Sequence, residues 1–407
     1  GANTAIGKES LCKNETASYN TALGYAAMCL TTTGAANTSI GFQSLLSNTT
    51  GANNVVVGAY AMDASTTGYD SVAMGVEALT TNTTGHTNTA IGRQAMCKNT
   101  EGVNNVAVGA FALCANTTAS NNTALGRKSL LSNTTGADNT AVGLNALFSN
   151  TTGACNVAVG MSALETNSTA ACNTAIGFES LKDTTTGCRN VAVGSGSLKA
   201  NITGDQNTAV GRASLICNTT ADGNTAVGFD SLQATNTGCF NTAVGRNSGF
   251  ANTTGERNVA IGLNSLYTNT TGTGNTAMGD ASLYANTTGI RNTAIGQNAM
   301  CTVAGAGNEN TAVGYSAGCV ITTGDENVLL GYRAGFNITT GSCNIVIGSS
   351  ACTDAGGTHT SISMGYAVVS INDAFTFGSG STDSRIAFGA TSITAPSDQR
   401  LKEDIQD

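Results

Sequence analysis

The chain has 407 residues, 51 of them glycine, with one proline, no tryptophan, 10% charged residues and a formal net charge of −8. That balance excludes the basic footprint of a nucleic-acid-binding protein and a polybasic membrane patch. There is no helical period and no apolar run long enough to cross a bilayer, so neither a helical bundle nor membrane insertion is expected.

A short motif dominates instead. Asn3-Thr4-Ala5-Ile6-Gly7 returns as Asn20-Thr21-Ala22-Leu23-Gly24 and again as Asn37-Thr38-Ser39-Ile40-Gly41. Every step from Gly7 to Gly296 is 17 residues, one step of 18 reaches Gly314, and steps of 17 resume to Gly365. A fixed period of this length marks a stacked array. The expected fold is all-β, a parallel β-solenoid (β-roll) of 17-residue coils over residues 1–365. With coils about 4.8 Å apart, the 22 motif glycines imply a rod on the order of 100 Å long. The chain opens in mid-motif at Gly1 without Met or signal peptide, and reads as part of a larger product.

Within each coil the positions are counted from the motif glycine. An asparagine heads the strand at −4, as in Asn3, Asn20 and Asn139, except where Ser71 and Ser361 replace it. Stacked at one spacing, these side chains predict a hydrogen-bonded ladder. Position −3 is Thr or Val, −2 is small, and −1 is a large aliphatic, as in Thr140, Ala141 and Val142 before Gly143. Strand side chains alternate faces, so both faces are apolar or small, which predicts burial of both. One face lines the solenoid; the other calls for a partner, and a homotrimer about a threefold axis supplies one. The two residues after the glycine vary (Lys8 and Glu9, Arg127 and Lys128), which reads as a solvated rim. Leu or Met at +4, as in Leu11, Met28 and Leu147, reads as a second, shorter strand with the small +3 residue inward.

A turn follows, Asn48-Thr49-Thr50-Gly51 in one coil and Asn252-Thr253-Thr254-Gly255 in another. It repeats the sequon Asn-x-Thr at Asn48, Asn82, Asn133, Asn150, Asn252, Asn269 and Asn286. Read as an exposed column, these are candidate glycosylation acceptors; read as turn chemistry, Asn, Thr and Gly suit a tight turn. The cysteines also run in columns: Cys12 with Cys29, Cys97 with Cys114, Cys155 with Cys172, and Cys301 with Cys319. Stacked coils bring such pairs within disulfide range, which suits an oxidising, extracellular setting; the other reading is free thiols filling small apolar slots. The cysteine total, 13, is odd, so at least one thiol is free or pairs between chains.

Residues 366–396 break the period. Phe375-Thr376-Phe377-Gly378 and Ile386-Ala387-Phe388-Gly389 predict irregular strands that cap the array. Residues 397–407 form a third segment.

Asn-Thr-Ala-Val-Gly, two variable residues, then Ser and a glycine turn resemble the head repeat of trimeric autotransporter adhesins over roughly residues 1–365, with a coil here longer by an Asn-Thr-Thr insert. The resemblance implies a trimer of narrow left-handed parallel β-rolls. Ser397-Asp398-Gln399-Arg400-Leu401-Lys402-Glu403-Asp404-Ile405 resembles the opening of the self-cleaving intramolecular chaperone domain of phage tail fibres and tailspikes. That resemblance implies a scissile bond between Ser397 and Asp398, with Ser397 as nucleophile and Lys402 as an assisting base. The rest of such a chaperone is absent here, so self-cleavage is not expected of this chain alone.

No metal site or cofactor is expected: His86 and His359 lie in distant coils without a ligand set, and the glycines do not form a phosphate loop. Glu77, Glu179 and Asp230 share one column several coils apart, where a glycosidase needs two carboxylates within about 10 Å. The reading is a structural fibre shaft of phage type, extracellular, with a host-surface glycan or protein as receptor and no enzymatic activity of its own. The alternatives are a polysaccharide-degrading tailspike working across a subunit groove, a bacterial surface adhesin and an ice-binding solenoid. Ice binding needs a flat face of threonines, and these threonines share strands with valine or lie in turns.

Overall fold

The computed structural model describes residues 1–303, 305 and 307–390. The chain is all-β, a parallel β-solenoid of about 22 coils of 17 residues. It divides into two units, the second beginning at Thr208. The first unit holds strands β1 (Thr4–Ile6) to β12 (Val191–Val193), and the second opens with β13 (Thr208–Val210) to β21 (Ile345–Ile347). Each strand is the −3 to −1 triplet and pairs in parallel with its equivalent one coil on, Thr4 with Thr21 and Ala5 with Ala22. The 18-residue step is absorbed outside the strands, since Thr293 pairs with Thr311 in unbroken register.

The motif glycine ends every strand. Gly7, Gly24 and Gly143 have φ of 126°, 141° and 133°, a region that favours glycine. Beyond it, from the coil of Gly7 to that of Gly331, the expected second strand is absent; it forms only after Gly348 and Gly365. In its place the backbone turns a corner through non-glycine residues of positive φ: Asn145 (57°), Leu147 (51°) and Cys155 (58°) in one coil, at +2, +4 and +12. Each costs on the order of 1 kcal/mol. Inter-coil hydrogen bonds offset that cost. Leu147 N donates to Ala163 O at 3.0 Å on one side, and Cys155 N to Ala137 O at 3.1 Å on the other. The backbone ladder thus runs on through the corner although the residues are not extended.

The interior is narrow. Ala at −2 is fully buried in coil after coil, as are the +3 Ser or Ala and the +4 Leu or Met. Leu147→Ala should therefore cost about 2–5 kcal/mol, the sum of lost burial and a cavity that neighbouring coils cannot fill. A urea unfolding curve against the unsubstituted chain checks this.

The second unit ends differently. β22 (Cys352–Thr353) and β24 (Val369–Ser370) form a small parallel pair. β23 (Ile362–Tyr366) pairs with β25 (Ala374–Ser379) over a shortened step, Ile362 opposite Phe375. β26 (Ser384–Ala387) then turns back antiparallel along β25, which stops the parallel ladder. Among the described residues no helix is long and apolar enough to cross a membrane.

Candidate interaction face

The strand triplet separates its two faces by alternation. Ala141 points inward and is fully buried, while Thr140 and Val142 point outward and are partly exposed. The outward −3 and −1 columns therefore leave apolar side chains facing solvent along each unit. In the first unit Val55 is 40% exposed, Met74 41% and Leu125 46%; in the second Val328 is 41% and Leu330 45% exposed. The +1 column, read as a solvated rim, adds exposed Tyr25, Phe42, Leu144, Met161 and Phe178 in the first unit and Tyr315 and Tyr332 in the second. Some of these rings stack between coils, Tyr25 on Phe42 at 5.3 Å and Tyr315 on Tyr332 at 5.4 Å. The −1 column is apolar at every motif repeat from Ile6 to Met364, so the exposed apolar side chains form a stripe along each unit.

The −4 asparagines lie buried and form a ladder. Asn20 N donates to Asn3 Oδ1 at 2.9 Å, and Asn3 Nδ2 to Ala17 O at 2.9 Å. Asn139 repeats this, its N bonded to Asn122 Oδ1 at 3.0 Å and its Nδ2 to Gly153 O at 2.9 Å. Each asparagine thereby ties its coil to a neighbour twice, through the stacked asparagine and through the +10 carbonyl fourteen residues on.

The sequon column corrects the reading of an exposed turn. Asn48, Asn82, Asn133, Asn150, Asn252, Asn269 and Asn286 are all buried. Their Nδ2 groups, where a glycan attaches, point into the coil. Asn133 Nδ2 donates to Asn116 Oδ1 at 3.1 Å and Gly136 O at 2.9 Å, and Asn150 Nδ2 to Asn133 Oδ1 at 2.8 Å. Between buried columns at +7, +10 and +13 the backbone exposes only every third residue. A glycan on any of these nitrogens is incompatible with the folded coil. The column is a second internal asparagine ladder, and Asn286 Oδ1 ends it unpartnered where Val303 replaces the next asparagine.

All the cysteines of the described residues are free thiols. Cys97 and Cys114 lie closest, Sγ to Sγ 2.6 Å. Cys12 with Cys29, Cys155 with Cys172 and Cys301 with Cys319 are also neighbours, each raising the pKa of a pair member, though less than burial does.

The carboxylates and histidines singled out in the sequence differ in their surroundings. Glu179 accepts from Lys199 Nζ at 2.6 Å and Lys182 Nζ at 2.9 Å, which together hold its carboxyl below its ordinary range. Glu77 accepts from Gln94 Nε2, and Asp230 Oδ1 is buried without a hydrogen-bond partner. The His86 ring stacks on Tyr69 at 4.3 Å, and His359 Nδ1 accepts from Ser342 N at 3.0 Å. Among the described residues no three His, Cys, Asp or Glu side chains converge on a metal site. Ser397, Asp398 and Lys402 lie outside the described residues. No protein-family model, no curated protein and no solved structure matches this chain.

Proposed function

We propose that this chain is the shaft of a homotrimeric β-solenoid fibre, extracellular and of phage tail-fibre type, whose work is reach and attachment to a host-surface glycan or protein. The apolar outward face of the strands carries this reading. A lone chain leaves that stripe in water along each unit, and a closed ring of identical copies covers it with one heterologous contact repeated at every coil. Three copies are the smallest closed set beyond a dimer that brings one narrow face per chain to a common axis. The C-terminal resemblance supports the same reading, because a self-cleaving chaperone of that kind belongs to fibres that assemble as trimers.

Sedimentation of the purified chain tests it, with a mass of three copies expected. A dispersed, stable monomer rejects the trimer. In a chain extended by its natural downstream sequence, intact mass should show a break between Ser397 and Asp398 that Ser397→Ala abolishes. An uncut product that folds normally rejects the chaperone assignment.

A further inference from the structure

Five residues after each motif glycine runs a half-buried column whose occupants suit their neighbours in the next coil. Thr80 Oγ1 donates to Asp63 Oδ1 at 2.7 Å. Phe250, Tyr267 and Tyr284 stack at 5.0 and 5.1 Å. Six cysteines occupy this column, Cys12, Cys29, Cys97, Cys114, Cys301 and Cys319, always in adjacent coils and never singly. A cysteine that merely filled an apolar slot would not need a second one beside it, and Leu46, Leu131 and Ile216 fill the same slot elsewhere. Paired occupancy is a property of the two thiols together.

We propose that Cys97 and Cys114 form a redox site that closes to a disulfide between adjacent coils, using a small-molecule disulfide of the glutathione class as oxidant. Cys12 with Cys29 and Cys301 with Cys319 close in the same way. The geometry favours it: equivalent residues of stacked coils lie about 4.8 Å apart at Cα, inside the range a disulfide spans. The two Sγ atoms already approach to 2.6 Å. The site is also poised for reaction. Either Sγ can be the donor of this contact, which draws one thiol of the pair below its ordinary range and pushes the other up. The thiol that ionises is the attacking thiolate and its neighbour the resolving thiol.

In the first step the thiolate of the pair attacks one sulfur of the small disulfide. That S–S bond breaks, a mixed disulfide forms, and one small thiolate leaves and takes a proton. The neighbouring cysteine then gives up its proton and attacks the protein sulfur of the mixed disulfide, expelling the second small thiol. Two protein thiols are oxidised and one small disulfide is reduced to two thiols. Cys188, Cys217, Cys239, Cys343 and Cys352 have no cysteine at the equivalent position of either adjacent coil, so none of them closes this way.

The folded, fully reduced chain is treated with oxidised glutathione at neutral pH, sampled by acid quench, alkylated and mapped by mass spectrometry. A peptide linked through Cys97 and Cys114 is expected before glutathione adds to Cys217, which has no thiol beside it to resolve an adduct. Dithiothreitol reverses it. In Cys97→Ser, and likewise in Cys114→Ser, the reaction should stop at a glutathione adduct on the remaining cysteine. Cys97 and Cys114 that both remain alkylatable after the isolated thiols have reacted would overturn the proposal. So would an adduct on either cysteine that persists unresolved in the unsubstituted chain, a measurement that does not depend on any variant folding.

Discussion

A chain with Asp in place of Val142 is expected to fold and to remain a single copy in solution, whereas Ala141→Asp, one residue earlier, is expected to prevent folding of its coil. The two positions differ only in the direction the strand gives them. Val142 points outward and is partly exposed in the single chain, so a carboxylate there stays hydrated and costs the monomer little. In the trimer proposed here the same carboxylate is buried without a partner, once per chain. Such a charge costs several kcal/mol, and three around one axis also repel each other. Ala141 is fully buried against the next coil's alanine, and an aspartate there has neither room nor a counter-charge. Far-ultraviolet circular dichroism with sedimentation separates the outcomes. Val142→Asp that folds and still sediments as three copies would move the interface away from this face.

The strand and its inner face were legible in the sequence because a period of two needs only three residues to show. The corner was not. Rules that assign positive φ to Gly and Asn gave no reason to place Leu147 or Asp138 there, yet both adopt it, at 51° and 59°. The signal was present in the exceptions. Gly249, Gly318 and Gly335 replace the +4 leucine, and Gly223 and Gly274 fall at +12, each with positive φ. A second signal shows that the sequon column faces inward. Where +4 shrinks to Gly318 and Gly335, position +7 grows from Asn to Ile321 and Ile338, and both isoleucines are fully buried. The space left at +4 is filled by those side chains and Leu329, whose Cδ1 lies 2.6 Å from where a Cβ on Gly318 would stand. Volume exchanged between two positions requires that both share one interior. Asn-x-Thr, read by itself as turn chemistry, carried no such information. The apolar outward face was legible from the −3 and −1 columns, but the +1 column, where Arg and Lys alternate with Tyr, Phe and Met, hid its contribution behind variability.

Gly143→Ala is expected to disrupt the first unit far more than Gly136→Ala, although Gly136 is buried and Gly143 only half-buried. At Gly143 two penalties act together. Its φ of 133° is a conformation that L side chains rarely adopt, which costs on the order of 1–3 kcal/mol by itself. A Cβ there would stand 2.6 Å from Gly160 O and 2.7 Å from Gly160 C. Those atoms belong to the backbone of the next coil, which cannot withdraw without carrying its own strand, and so the next motif glycine, with it. Gly160 in turn faces Gly177 at 2.4 Å in the same geometry, so a shift at one coil is resisted along the stack. The sequence agrees: no motif position departs from glycine between Gly7 and Gly365. Position +10 is otherwise. Gly136 lacks the positive φ, and although its Cβ would meet Gly153 O at 2.3 Å, Ala17, Ala119, Ala170 and Ala221 occupy that column in other coils and lie buried there. The corner can therefore be built with a methyl at this position, as those four coils show. Because stability in a stacked array is a sum of coil and nearest-neighbour terms, Gly143→Ala should open a local break as well as lower the whole. Amide hydrogen exchange should show protection lost over the strands flanking position 143 and kept in the coils near β1, with the Gly136→Ala pattern close to that of the unsubstituted chain. Equal protection in both variants would mean that the glycine column sets no limit on how closely the coils stack.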